Sequence, residues 1–420
     1  MSNAGPISAG FAPNRKTSAK QLELYLAIAT VALSPMNYLR LDVAYFTASD
    51  LFGFMTLIFM LLNRTVPLRF YGPTTSLWHF SFILFVGGLL LSSIAHGDPV
   101  DGLIVSLQYF YSLIIIPIII ACRRLDETFL LMRVLIYSIA AIMLHGIYLV
   151  TFVPDASPRL VSGSGRLRSL LERENAAGAM TAIAITFSLY LRLTRRFRLK
   201  HFAPTLVILL YGLMLTGSNT GFGATVLGAS LVLLLVGSFR TTLITVGLGG
   251  IFIAITLLAG DLFLPEVFQR RVLGALSTAD LSQAGTFSDR AALIQEAFQL
   301  SNDAKWLGFG ANQYRIISHH GAPVHNTYLL ILLEGGIMSL LGMCGLFFSA
   351  LALGIGAYRN PESRSRGVIT LVTVILFILV LNAFAHFYAR FWHVPLAIAI
   401  SLSLPRAFIQ NTHSAKVGRR

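Results

Sequence analysis

The 420-residue chain is 55% hydrophobic and only 12% charged, with a mean hydropathy of +0.73 and a formal charge of +14. Soluble globular proteins carry about 25% charged residues, so a soluble domain is excluded. Nucleic acid is excluded as a partner too: most Lys and Arg sit in short loops between apolar runs, not on the basic face of a soluble fold.

The apolar runs are long enough to cross a ~30 Å hydrocarbon layer as helices, without the short alternating pattern of barrel strands. The polar segment 1–20 reads as a cytoplasmic tail without a signal-peptide pattern, so the first span is expected to act as its own insertion signal. Spans are predicted at 21–37, 43–62, 76–95, 102–121, 130–152, 175–192, 202–216, 219–238, 241–263, 327–352, 367–386 and 391–405. The expectation is an all-α polytopic membrane protein of about twelve transmembrane helices. It forms one transmembrane domain over 21–405, followed by a cytoplasmic tail at 406–420. Two segments interrupt it, 153–174 and the large loop 264–326. Cys122 and Cys344 fall at or within spans, which implies neither a disulfide framework nor a metal cluster. No inverted repeat of the transporter kind is visible.

With the N-terminus inside, 21 of the 32 Lys and Arg residues fall on the inner side and 11 on the outer. Both termini are therefore expected in the cytoplasm. The outer set is Arg40, Arg159, Arg166, Arg168, Arg173, Arg270, Arg271, Arg290, Lys305, Arg315 and Arg390, and all but Arg40 and Arg390 lie in the two loops. Positive charge on that side opposes insertion, so its concentration points to an anionic partner. The argument is stronger for 153–174, because long loops translocate largely regardless of charge.

Three motifs carry chemistry. The run from Gly165 to Asn175 places Arg166, Arg168 and Arg173 just before a span. Guanidinium groups bind phosphate oxygens in bidentate fashion at any physiological pH, which suits a lipid-linked diphosphate; the competing reading is a loop anchored to lipid headgroups. Ser288-Asp289-Arg290 opens a run in which Leu293, Ile294, Ala297, Phe298 and Leu300 recur at helical spacing. Ser288 is the expected N-cap, and Arg290 falls in the first turn, where the helix dipole favours an anion. An interfacial helix with a solvated arginine is the alternative. Third, Gly308-Phe309-Gly310 precedes His319, His320, His325, Asn326 and Tyr328. No strand precedes the glycines, so a dinucleotide site is rejected, and the histidine spacing fits no standard zinc pattern. An imidazole near neutral pKa suits proton abstraction from a sugar hydroxyl; for His319 and His320 a polar interface is the alternative. Asp50 and Glu334 lie within spans, where a charge must be paired or face a cavity. Glu334 would either orient groups below His325 or bond a neighbouring helix.

Taken together these residues resemble the bacterial O-antigen ligase and Wzy-type polysaccharide polymerase superfamily. The resemblance rests on Arg168-Ser-Leu-Leu-Glu-Arg-Glu-Asn175-Ala-Ala-Gly178, on Ser288-Asp289-Arg290 with Trp306-Leu307-Gly308-Phe309-Gly310, and on His325-Asn326-Thr327-Tyr328 with Glu334-Gly335-Gly336. It covers roughly 160–345 in motif terms. It implies a GT-C-like, metal-independent inverting glycosyltransferase of the bacterial inner membrane, without a cofactor. Its donor would be a glycan on undecaprenyl diphosphate at the periplasmic side. The acceptor would be another lipid-linked glycan in a polymerase or lipid A-core in a ligase, and export or chain-length proteins would be partners. Carried over by position, Arg168, Arg290 and Arg166 hold the diphosphate and His325 is the general base. Asn175, Asn326, Tyr328 and Glu334 support them, and Arg173 is an alternative to Arg168. The Asn-Ala-Ala-Gly run is closer to exopolysaccharide polymerases. Two departures stand out: Asn219 occupies the place of a basic residue in Gly217-Ser218-Asn219-Thr220, and Glu174 that of a proline before Asn175. A flippase for lipid-linked oligosaccharides, or a non-catalytic partner of an export complex, are the rival classes.

Overall fold

Backbone that crosses lipid must satisfy its hydrogen bonds internally, so apolar runs of this length fold as helices. The computed structural model describes residues 15–41, 46–121, 123–243, 247, 250, 264–274, 287–385 and 388–405; the side chains of 15–18, 272–273 and 287–289 are outside that set. The expected span 241–263 falls almost wholly outside it, as do the far tails and Cys122. In order the helices are α1 (Arg15–Leu33), α2 (Ala48–Leu62), α3 (Thr75–His96), α4 (Pro99–Phe110), α5 (Ile116–Ile120), α6 (Leu125–Phe152), α7 (Glu174–Leu193), α8 (Leu199–Thr216) and α9 (Asn219–Val236). There follow α10 (Glu266–Phe268), α11 (Phe287–Leu300), α12 (Tyr314–Ile317), α13 (Thr327–Arg359), α14 (Arg364–Val380) and α15 (Arg390–Leu402). The protein is an all-α polytopic membrane protein. Eight of the described helices or helix runs are long and apolar enough to cross a membrane, and α2 and α15 are shorter apolar helices.

The centre of the bundle is α7, whose residues from Ala176 to Ser188 are all buried. Its Ala, Gly, Ser and Thr side chains let backbones approach closely, which is how helices pack where lipid removes the hydrophobic drive. At Gly178 an added Cβ would stand 2.6 Å from Ser218 Cβ, and at Gly221 it would stand 2.6 Å from the Gly178 carbonyl carbon. The Asn175-Ala-Ala-Gly178 run thus seats the start of α9 against the start of α7.

A second close contact joins α3 to α13. Ser339 donates to the Phe85 carbonyl at 2.7 Å, and a Cβ at Gly342 would lie 2.3 Å from Phe85 N. Within α13 the helix breaks at Gly336, where φ is 69° and ψ is −173°. The strap 305–311 docks into that break through its backbone: Phe309 N donates to Leu333 O at 2.7 Å, Gly310 N to Glu334 O at 2.9 Å, and Ile337 N to Lys305 O at 2.9 Å. From α3, Ser92 and Ser93 accept from Gly308 N and Ala311 N at 2.8 and 2.9 Å. Gly-x-Gly is needed here because a Cβ at Gly308 would meet the Glu334 backbone at 2.3 Å, and Gly310 has φ +100° against Gly97.

The helix α11 starts at Phe287, one residue ahead of the expected Ser288 cap. Its Leu293 and Ala297 are buried in a small satellite core with Tyr314, Val324, Leu330 and Leu333. Phe298, expected on that face, is 60% exposed. This core fixes α11 over the start of α13 and so sets Arg290 near His325.

Candidate functional site

The arginine loop is built on an extended stretch. Val161 and Leu167 form an antiparallel bridge around the turn 162–165, with Ser162 N donating to Arg166 O at 2.9 Å. Alternation in extended backbone sends Leu167 one way and Arg166 and Arg168 the other. Leu167 is fully buried, and a Cβ on Gly146 of α6 would clash with it at 2.6 Å. The loop is pinned further by Leu167 N to Leu215 O at 2.9 Å and Tyr38 N to Leu170 O at 2.9 Å.

Arg166 sits where three helix ends meet. Its Nε donates to Thr216 O at the end of α8 at 2.8 Å, and Nη2 donates to Asn175 Oδ1 in the first turn of α7 at 2.9 Å. The end of α8 carries partial negative charge that a cation complements. Burial, with the neighbouring charges of Arg271, Arg290 and Arg168, pushes the Arg166 guanidinium down to about 10, so it stays charged at neutral pH. Arg168 pairs with Glu174 at 3.0 Å and donates to Pro158 O at 3.0 Å. Glu174, standing where a proline was expected, is thus the carboxylate that orients Arg168. Arg173 is exposed and, among the described residues, its side chain has no hydrogen-bond or ion-pair partner.

No motif singled out Arg271. It lies beside Gly217, where an added Cβ would stand 3.3 Å from Arg271 Cδ and 3.6 Å from Arg166 Nε. That is the block whose basic residue is replaced by Asn219. Its only signal in the sequence was membership of the outer positive set. Arg270 ties the segment down, donating to Ser164 O at 3.4 Å. Burial and the Arg271 charge lower the Arg290 guanidinium.

His325 faces the same cluster. Its Nδ1 lies 3.2 Å from Pro323 O, a contact that needs a proton on Nδ1 and leaves Nε2 with the lone pair. Burial and the Arg290 charge lower its pKa, against the Pro323 carbonyl, so the neutral imidazole prevails at pH 7. A cavity of about 320 Å³ is lined by Arg168, Arg173, Glu174, Asn175 and His325, with Ala383–Ala385 on the far side.

The structure therefore brings Arg166, Arg168, Arg290, Asn175 and His325 together. Asn326 and Tyr328 hold the scaffold: Asn326 Oδ1 caps α13 by accepting from Tyr328 N and Leu329 N at 3.0 and 3.1 Å, and Tyr328 donates to Ile378 O at 2.8 Å. Glu334 stands apart from the cavity, with its carboxyl against the Asn312 N–H. His319 Nδ1 pairs with Glu296 at 2.9 Å, and Ser318 donates to the same carboxylate at 2.7 Å. Burial raises the Glu296 carboxyl, but the Ser318 and His319 hydrogen bonds outweigh it and bring it to about 2.

A second cavity, of about 300 Å³, shares Arg168, Glu172, Arg173, Phe384 and Ala385 with the first. Arg40 and Arg390, the two outer cations that lay outside the loops, both line it. Glu172 accepts from Asn37 at 2.8 Å and pairs with Arg40; Asp50, capped in the first turn of α2, holds Arg390 at 3.0 Å.

No curated protein matches the chain. Residues 204–344 match the family described as O-antigen ligase, a stretch that contains Gly217, Arg271, Arg290, Gly308 and His325 and excludes Arg166 and Arg168. Over those residues the polytopic membrane protein is similar to the O-antigen ligase family, and the match supports its likeness to the O-antigen ligase and Wzy superfamily of ligase- and polymerase-type glycosyltransferases.

Proposed function

We propose that the protein transfers a glycan from undecaprenyl diphosphate to a glycan acceptor at the periplasmic face of the inner membrane, as a polysaccharide polymerase. The observation that carries this reading is a cavity lined by Arg168 and by a histidine whose Nε2 is free to take a proton, beside which Arg166, Arg271 and Arg290, from separate segments, lie close enough to act on one another's charge. The acceptor hydroxyl attacks the anomeric carbon from the face opposite the diphosphate, inverting it, and gives its proton to His325 Nε2. The anomeric carbon–oxygen bond breaks, and the leaving diphosphate carries away the electron pair. Arg168, Arg290 and Arg166, with Arg271 beside them, neutralise that charge; fixed guanidiniums supply such stabilisation without a metal. Asn175 orients Arg166, and Glu174 orients Arg168. Both termini then lie in the cytoplasm.

The matched family's own description, O-antigen ligase, favours a ligase; such a ligase, with lipid A-core as acceptor, is the second reading. The transporter reading is weaker, because the carboxylates of Asp50 and Glu334 make structural contacts: Asp50 with Arg390 and Glu334 with the Asn312 N–H.

The test is transfer by the purified protein in detergent, with a diphosphate-linked glycan donor, EDTA, and the two acceptors offered separately. Products of increasing length from donor alone establish the polymerase, and product only with lipid A-core establishes the ligase. Donor binding by folded protein without product supports transport. His325→Ala should keep the wild-type melting temperature and lose about 10²–10⁴-fold in rate; wild-type product levels would remove it as the base.

A further inference from the structure

We propose that the arginine-rich cavity beside the reaction cavity is a subsite for an acidic sugar of the acceptor glycan, one residue along from the hydroxyl that faces His325. The assignment to the acceptor rests on the transfer reading above. Recognition of a carboxylated sugar stands on the cavity itself.

Five guanidiniums, from Arg40, Arg159, Arg168, Arg173 and Arg390, line this cavity against one carboxylate, Glu172. Asp50 and Glu174 hold Arg390 and Arg168 from outside the lining. Arg173 remains exposed, with no ion pair among the described residues. A planar guanidinium fork matches a carboxylate in bidentate fashion.

The lining is also aromatic, with Phe384, Tyr388, Phe391 and Trp392 among it. Ring surfaces set against a few convergent polar groups make the usual lining of a small-molecule site, and about 300 Å³ lies at the small end of such sites. A sugar uses both kinds of group, with its C–H face on the rings and its carboxylate on the guanidiniums. A diphosphate would use the guanidiniums alone. Gln108 also lines the cavity; its amide oxygen is buried without a hydrogen-bond donor, and the amide can turn to a sugar hydroxyl. The wall shared through Arg168 and Arg173 places the two cavities next to each other, as consecutive sugars require.

The experiment is a ligand-observed NMR titration of the purified full chain in nanodiscs with cellobiouronic acid, its neutral counterpart cellobiose, and inorganic pyrophosphate. The acid should bind about tenfold tighter than cellobiose, in keeping with hydrogen bonds to a charged group. Arg159→Gln and Arg173→Gln should each weaken the acid several-fold and leave cellobiose unchanged, and the double variant should erase the preference. Both positions are exposed, so folding is not at stake, and Arg315→Gln is the control expected to change nothing. Equal binding of the two disaccharides, or a preference that survives the double variant, would overturn the proposal. So would pyrophosphate that binds where cellobiouronic acid does not and is weakened by the same variants. Protein that keeps the acid preference yet makes no product in the transfer assay supports the subsite and sinks only the transfer reading.

Discussion

The strap at 305–311 and the arginine loop at 159–175 both close over helix ends, and they use their polar groups in opposite ways. In the strap every contact described is a neutral donor meeting an acceptor: Phe309, Gly310 and Ile337 exchange backbone bonds, and Ser92 and Ser93 take the Gly308 and Ala311 N–H groups. Around the arginine loop, cations crowd one another, and burial and like charge lower Arg166, Arg271 and Arg290. Saturated neutral bonds make a joint, whereas held but mutually repelling cations make a place for an anion. The family resemblance had joined Gly308 and Arg290 in one block; in the structure the Gly308 N–H is bonded to Ser92, while Arg290 stands beside the Arg271 charge.

This contrast can be broken from either side. The largest effect is expected from Gly308→Ala, whose Cβ would overlap the Glu334 backbone. It should cost about 3 kcal/mol or more, because overpacking against backbone has no rotamer to relieve it. Thermal melting in detergent checks this, and a variant melting within a few degrees of wild type would show that the strap can shift. Arg290→Lys is the reverse case. Its melting should be unchanged while transfer falls about 10²–10³-fold, nearly as far as in Arg290→Ala, since an ammonium cannot reproduce the fork. Full activity in the lysine variant would end the bidentate role.

A smaller effect sharpens the electrostatics. His325 must be neutral to act as base, and its pKa lies below the usual 6.5. Rate should therefore be flat through neutral pH and fall only as pH drops below the ordinary histidine range. Replacing Arg290 by Gln removes a cation that lowers this pKa, so the acidic limb of the residual rate should move to higher pH. A limb that stays in place would separate Arg290 from His325. The smallest effect concerns Glu296, whose depressed pKa of about 2 gives stability present above the unfolded carboxylate value and lost as pH falls from there toward 2. Glu296→Gln should flatten the dependence of melting temperature on pH over that window; an unchanged slope would place the acid sensitivity elsewhere.

The spans were legible because long apolar runs admit one secondary structure in lipid, and the expected edges at 76–95, 175–192 and 219–238 fall within a few residues of α3, α7 and α9. His325 and Arg290 were legible because their residue types fit a charged leaving group and an acceptor hydroxyl. What was not legible depends on distance in sequence. Arg40 meets Glu172 and Arg390 meets Asp50 across 132 and 340 residues, so nothing local marks them as neighbours of the arginine loop. Arg271 was hidden likewise, because only the fold brings it to Gly217. Of the two roles open to Glu334, geometry supports a structural one: it shares a helix with the His325 region, but its carboxyl turns toward Asn312, and a helix carries groups to all sides.

The break at Gly336 lies nine residues into α13, and the strap that fills it also meets Ser92, Ser93 and Gly97 at the end of α3. An interrupted helix leaves N–H and C=O groups without their usual partners, and such groups are tolerated beside lipid only where protein covers them. The strap supplies those partners, since Leu333 and Glu334 give their carbonyls to Phe309 and Gly310, and Ile337 gives its N–H to Lys305. Two long helices and a loop thus share one set of backbone bonds, and a defect in that joint would loosen all three at once.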